Sequence, residues 1–265
     1  MESSACAVFR DLLATNMRHA GALRIDHVMG LARLFWVPDD ASGADGAYVA
    51  YPFDAMLACV ALASERAGCL VVGEDLGTVP EGLRERLAAA RVFSYRVLWF
   101  ERDREGFVPP ARWPVAAAAC VSTHDLPTIA GWWNAADIAE RVALAMIDAD
   151  EAEATRGQRR AAKLALVVAI EEAGVAPAGA LNVDAPCNHE VVAAIHRYIG
   201  ATSSALALLQ ADDLAGETIA QNLPATVDER ANWRRRIAID VGAVWQTPVG
   251  GQAAADFAAT RGTGR

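Results

Sequence analysis

The chain has 265 residues, enough to bury a sizeable core in one large α/β domain or two small ones. A hydrophobic content of 54% with a positive mean hydropathy argues against disorder. A net charge of −9, with no basic stripe carrying interleaved aromatics, argues against nucleic acid as a partner. Cysteines 6, 59, 69, 120 and 187 are far apart, odd in number and form no C-x-x-C pair, so they read as reduced, mostly buried small hydrophobes. The N-terminus lacks the basic start and apolar run of a signal peptide, and no apolar run approaches the roughly 18 residues of a membrane span. The expectation is a soluble, cytoplasmic protein with no membrane partner.

In chain order, an amphipathic helix is predicted over 5–20 and a strand over 22–26. The segment 30–38 carries Leu31, Leu34, Phe35 and Trp36, too aromatic for an idle linker, and 39–47 reads as a flexible loop. Tyr48, Tyr51 and Pro52 lead into a helix over 54–67, and a fully apolar strand follows at 70–73. Thr78 and Glu81 have capping-box spacing, which predicts a helix from Pro80 to about Ala90. A strand over 92–100, a charged loop over 102–114 and a strand over 118–122 come next, then helices near 137–150, 156–173 and 188–200. The last strand is expected at 205–209, a final helix around 232–236, and a frayed tail over 250–265 behind a catalytic domain of 1–249. Lone His19, His189 and His196 read as helix-surface residues. Five strands alternating with helices imply a parallel sheet.

Three of these strands end in carboxylates that a solvated loop would not need: Asp26, Glu74 and Asp125. Alternation along a strand puts Arg24 and Asp26 on one face, where a guanidinium fixes a carboxylate as a nucleophile requires; a buried structural ion pair is the competing reading. The gaps of 48 (74 − 26) and 51 (125 − 74) residues each suit one helical crossover with an elaborated loop, so the three could reach one mouth. Two close carboxyl groups are what a retaining glycosidase-type mechanism uses, one attacking the anomeric carbon and the other protonating the leaving oxygen. His124 beside Asp125 can donate to the same sugar. Trp36, Tyr48, Tyr51, Trp99, Phe100, Trp132 and Trp133 lie near strand ends and could stack on sugar faces. No H-E-x-x-H or H-x-x-x-H spacing and no G-x-S-x-G elbow occurs, so neither a metal nor a serine hydrolase is expected.

The stretches Met17–His27, Gly46–Pro52, Val72–Pro80, Thr123–Thr128 with Gly131-Trp132-Trp133, and Asn232-Trp233-Arg234 resemble the 4-alpha-glucanotransferases called amylomaltases, glycoside hydrolase family 77 of the alpha-amylase clan. The resemblance implies that Asp26 is the nucleophile, Glu74 the acid/base and Asp125 the transition-state stabiliser. Arg24, His124, His27, Asp75, Tyr51, Trp36 and Phe100 would contact or orient the substrate, and the choice of Glu74 over Asp75 rests on the family alone. It implies transfer of alpha-1,4-glucan segments to glucose or another maltooligosaccharide, without a cofactor. An alpha-amylase-clan hydrolase and a non-catalytic glucan-binding remnant are the alternatives. Family members place early barrel strands before this region, so the five strands are expected to be about the fourth to eighth of a TIM (β/α)8 barrel with extra helices. The separate chain is then expected to have little activity. Family members usually have Gly where this chain has Ala225.

Overall fold

The structure, a computed structural model, describes residues 2–262. Its elements, in chain order, are α1 (Glu2–Met17), β1 (Ala22–Ile25), β2 (Arg33–Trp36), β3 (Ala47–Ala50), α2 (Phe53–Ala67), β4 (Leu70–Gly73), α3 (Leu83–Ala89) and β5 (Phe93–Val97). Then follow β6 (Arg102–Asp103), β7 (Gly106–Phe107), β8 (Ala117–Cys120), α4 (Ile129–Trp133), α5 (Ala136–Ala143) and α6 (Ala149–Glu172). The chain continues with α7 (His189–Gly200), β9 (Leu206–Ala207), α8 (Ala211–Leu214) and α9 (Pro248–Gly262). The fold is mixed α/β around a sheet of strand order β1-β4-β5-β8-β9, with parallel pairing of β1 to β4 and of β4 to β5. Backbone contacts divide the chain into two units, and the division cuts across β5 and β8.

The first unit runs to Tyr95 and includes Ala116–Ala118. Its core gathers Leu13 and Met17 of α1, Leu57 and Val60 of α2, Val71 of β4 and Leu87 of α3, all buried. That is the stripe expected when helices cover an apolar parallel strand. Beside it β2 and β3 form an antiparallel hairpin whose Phe35, Trp36 and Tyr48 are exposed. The capping box over Thr78 and Glu81 does not form. The helix starts three residues later, behind Gly82 at φ 75 with no side-chain cap, where Leu83 and Leu87 can both be buried.

The second unit takes Arg96–Val115 and the chain from Ala119 on. Its centre is α7, buried along most of its length through Val191, Val192, Ile195, Tyr198 and Ile199. His196 lies on that inward face with no exposure, which corrects its assignment to a helix surface. The helix expected over 137–150 is broken because Asp148 caps a new one, accepting a hydrogen bond from the Glu151 N–H. Part of the loop expected over 102–114 pairs as the β6–β7 hairpin. No helix forms at 232–236, since Trp233 is left-handed at φ 61 and the Asn232 side chain bonds the neighbouring loop. The stretch read as a frayed tail is helical to Gly262, anchored by buried Ala253, by the Arg197–Asp256 ion pair, and by Phe257 and Thr260 against Gly200. None of the five cysteines is in a disulfide; Cys69 and Cys120 are buried, the other three half-buried. No described helix is long and apolar enough to cross a membrane.

Candidate active site

In the first unit, the ends of β1 and β4 are laced together by Glu74. Its N–H donates to the Ile25 carbonyl, and its own carbonyl accepts from the Val28 N–H, each at 2.9 Å. Its carboxylate accepts from the His27 N–H through Oε2 and the Leu76 N–H through Oε1, both at 2.8 Å. His27 adopts φ 45 in making this turn. Gly73 permits the approach, because a Cβ there would lie 2.9 Å from Val28 Cγ2.

Arg24 and Asp26 share a strand face as alternation requires, with Arg24 Nη1 2.8 Å from Asp26 Oδ1. The Asp26 side chain is 65% exposed, so this is no buried structural pair. A carboxylate held by one cation yet open to solvent is available to attack. The Arg24 guanidinium is itself seated over the Tyr95 ring, 4.7 Å from its centroid.

Glu74 and Asp75 adjoin in sequence but differ in surroundings. Asp75 is 2% exposed, and its carboxylate accepts from Arg84 Nε at 2.9 Å, Ser94 Oγ at 2.8 Å and the Tyr95 N–H at 3.1 Å. Those donors tie the turn after β4 to α3 and β5. Trp36 and Tyr51 are joined by a hydrogen bond from Trp36 Nε1 to Tyr51 Oη at 3.1 Å.

In the second unit, the loop after β8 presents His124 and Asp125. Asp125 Oδ2 is 3.2 Å from His124 Nε2, and Oδ1 accepts from Asn222 Nδ2 at 2.6 Å. Asn222 also donates its N–H to the His124 carbonyl at 2.9 Å, so one residue clamps both. The Trp233 ring packs on His124 at 4.8 Å. Asp125, Glu140, Arg141, Asn222, Pro224 and Ala225 line a cavity of about 350 Å³. Phe100 is exposed beside a second cavity of about 320 Å³ bordered by Trp132 and Arg159. Trp99 and Trp132 stack at 4.4 Å in the core and Trp133 is buried, so these three indoles are packing residues. The sequence alone does not single out Asn222 or Trp233, and it is the spatial return of the 220–233 loop that brings them against Asp125 and His124. Among the described residues no group of three or more His, Cys, Asp or Glu is arranged to hold a metal.

The sequence profile of glycoside hydrolase family 77, described as 4-alpha-glucanotransferase, matches residues 1–240. The chain belongs to this family. Every candidate residue above lies inside the part matched to family 77. The 4-alpha-glucanotransferase of Mycobacterium tuberculosis H37Rv is 40% identical over 231 residues, covering 85% of this chain and 31% of the relative. That of Haemophilus influenzae is 37% identical over 237 residues, 88% of this chain and 34% of the relative. The crystal structure of amylomaltase from Corynebacterium glutamicum superimposes with a TM-score of 0.87 at 30% identity, over 94% of this chain and 37% of that one. Amylomaltase from Streptococcus agalactiae in complex with acarbose shares the fold, with a TM-score of 0.66 at 18% identity over 98% of this chain and 45% of that one. The chain thus spans about one third of the length of the curated relatives it matches most fully.

Ala225 sits at φ 68, where a Cβ is disfavoured. Ala225→Gly is expected to raise the urea unfolding free energy by about 0.5–1 kcal/mol, the strain relief exceeding the added chain entropy. An unchanged or lowered midpoint would show that the loop already accommodates the methyl group.

Proposed function

We propose that the chain carries the catalytic carboxylates of a 4-alpha-glucanotransferase, acting on alpha-1,4-glucans by retaining double displacement. The observation that carries this is the exposed, Arg24-paired Asp26 at the end of β1, beside a Glu74 hydrogen-bonded to the same strand end, in a chain of family 77. Asp26 attacks the anomeric carbon while Glu74 protonates the departing glycosidic oxygen. Glu74 then removes the proton of an acceptor sugar hydroxyl, which displaces Asp26 with net retention. Asp125, oriented by His124 and Asn222, holds hydroxyls of the distorted ring as positive charge develops. Maltooligosaccharides and glucose are the partners, and five cysteines outside any disulfide favour a cytoplasmic setting. The five strands stand for about the fourth to eighth of a (β/α)8 barrel, a reading supported by the likeness to the Corynebacterium amylomaltase.

Chromatography of products from maltotriose tests the reading. Residues 1–240, set in the frame of a complete relative that supplies the earlier strands, are expected to give glucose and a ladder of longer maltooligosaccharides, lost in Asp26→Asn. Shorter sugars alone would show hydrolysis, and an active Asp26→Asn would exclude the nucleophile. Placing residues 1–240 in the frame of a complete relative assigns the chemistry to this segment itself.

A further inference from the structure

Trp233 combines three features that ordinary packing does not explain. Its backbone is left-handed at φ 61, a conformation a bulky side chain rarely adopts. Its side chain is 63% exposed, so no burial offsets that strain. The backbone beneath it is held unusually firmly for an irregular loop. Its own N–H donates to the Gln221 carbonyl at 3.1 Å. The preceding Asn232 accepts from the Leu223 N–H and from Arg230, and donates to Thr226 Oγ1. Arg230, its side chain 7% exposed, is fixed in turn by Glu140 and the Ala220 and Gln221 carbonyls. This network presents an apolar ring to solvent 4.8 Å from His124, which contacts Asp125.

We propose that Trp233 is a sugar-stacking platform, binding the C–H face of the glucose ring next to the one held by His124 and Asp125. The proposal rests on the glucan-transfer reading above. Flat aromatic faces pack against the axial C–H groups of a pyranose, and an indole held in place beforehand loses little conformational freedom on binding. The subsite would thus add affinity for a glucan of several units without touching the reacting bond.

The test compares Trp233→Leu, Trp233→Tyr and Trp233→Gly, each in residues 1–240 set in the frame of a complete relative, by KM and kcat on maltotriose through maltoheptaose, with thermal midpoints measured alongside. Leu keeps apolar bulk and the same backbone penalty but has no flat face, so KM should rise about tenfold with kcat within about threefold. Tyr restores a flat face and should stay within about threefold of the parent KM. Gly relieves the left-handed strain, so its midpoint should hold or rise while its KM rises like that of Leu. Leu and Gly variants with the parent KM would overturn the platform, as would a Tyr variant as weak as Leu, or KM losses that merely follow falling midpoints. A parent segment that neither binds nor turns over any maltooligosaccharide even in the frame of a complete relative would overturn the glucan-transfer reading instead.

Discussion

Glu74→Gln is expected to lower glucan turnover by roughly three orders of magnitude or more, whereas Asp75→Ala is expected to lower stability by about 3 kcal/mol. The two carboxylates are adjacent, so the contrast is one of environment. In Glu74→Gln the side-chain amide still accepts from one backbone N–H but turns its own N–H towards the other. The variant should therefore lose about 1 kcal/mol and remain folded. What it cannot do is give up or take back a proton. Asp75→Ala removes the acceptor for Arg84, Ser94 and the Tyr95 N–H at once. The half-exposed Arg84 can turn to water, but the Tyr95 N–H loses the carboxylate it donates to, and the side-chain tie from the turn after β4 to β5 is lost. Urea unfolding and initial rates on the same preparations separate the two effects. An Asp75→Ala protein as stable as the parent, or a Glu74→Gln protein with parent turnover, would reverse the assignments.

The second large effect is on pH dependence and comes from a buried pair that takes no part in the proposed chemistry. Asp213 and His196 are both fully buried, with Asp213 Oδ2 3.9 Å from His196 Nε2, and Asp213 Oδ1 accepts from the Ile129 N–H at 2.6 Å. Burial pushes the Asp213 carboxyl up to about 7 and the His196 imidazole down to about 4, so both stay neutral over the same pH range. Between pH about 4 and 7 the folded protein keeps a proton on Asp213 that the unfolded chain has lost, so this group's contribution falls as pH rises through that window. His196 has the opposite sign. The unfolded chain binds a proton up to about 6.5 that the folded protein refuses, so its contribution rises from pH 4 to 6.5. In the parent the two slopes oppose one another. Asp213→Asn keeps the acceptor for Ile129 and removes the falling slope. Its stability should climb more steeply from pH 4 to 6.5 and exceed the parent's above pH 7 by at least about 1 kcal/mol. Parallel stability–pH curves for parent and variant would refute the neutral-pair description.

The strands that carry Asp26, Glu74 and Asp125 were legible in sequence because a short apolar run ending in charge suits a buried strand with a polar mouth and little else. The Arg24–Asp26 face followed from alternation along the strand. Helix starts were less legible. Thr78 and Glu81 had the right spacing for a cap, yet the burial of Leu83 and Leu87 placed the start elsewhere. His196 was misplaced because a single imidazole in a helix does not show which face is covered, and α7 is covered nearly all round. Asn222 and Trp233 depend on a loop with no period at all, set by the left-handed Ala225 and Trp233 and by the Arg230–Asn232 network. Asp75, grouped with the substrate contacts, is distinguished from Glu74 only by three donors from distant positions in the chain.

The central claim, that Asp26 is the nucleophile served by Glu74, is tested most directly by intact-protein and peptide mass spectrometry of Glu74→Gln after exposure to α-maltosyl fluoride. Fluoride departs without an acid, so the first displacement should still occur, while the missing base should leave the glycosyl-enzyme undischarged. The expected result is a single maltosyl adduct on the peptide containing Asp26, absent when Asp26→Asn is added. An adduct on another residue, or fluoride released with no adduct at all, would contradict the assignment.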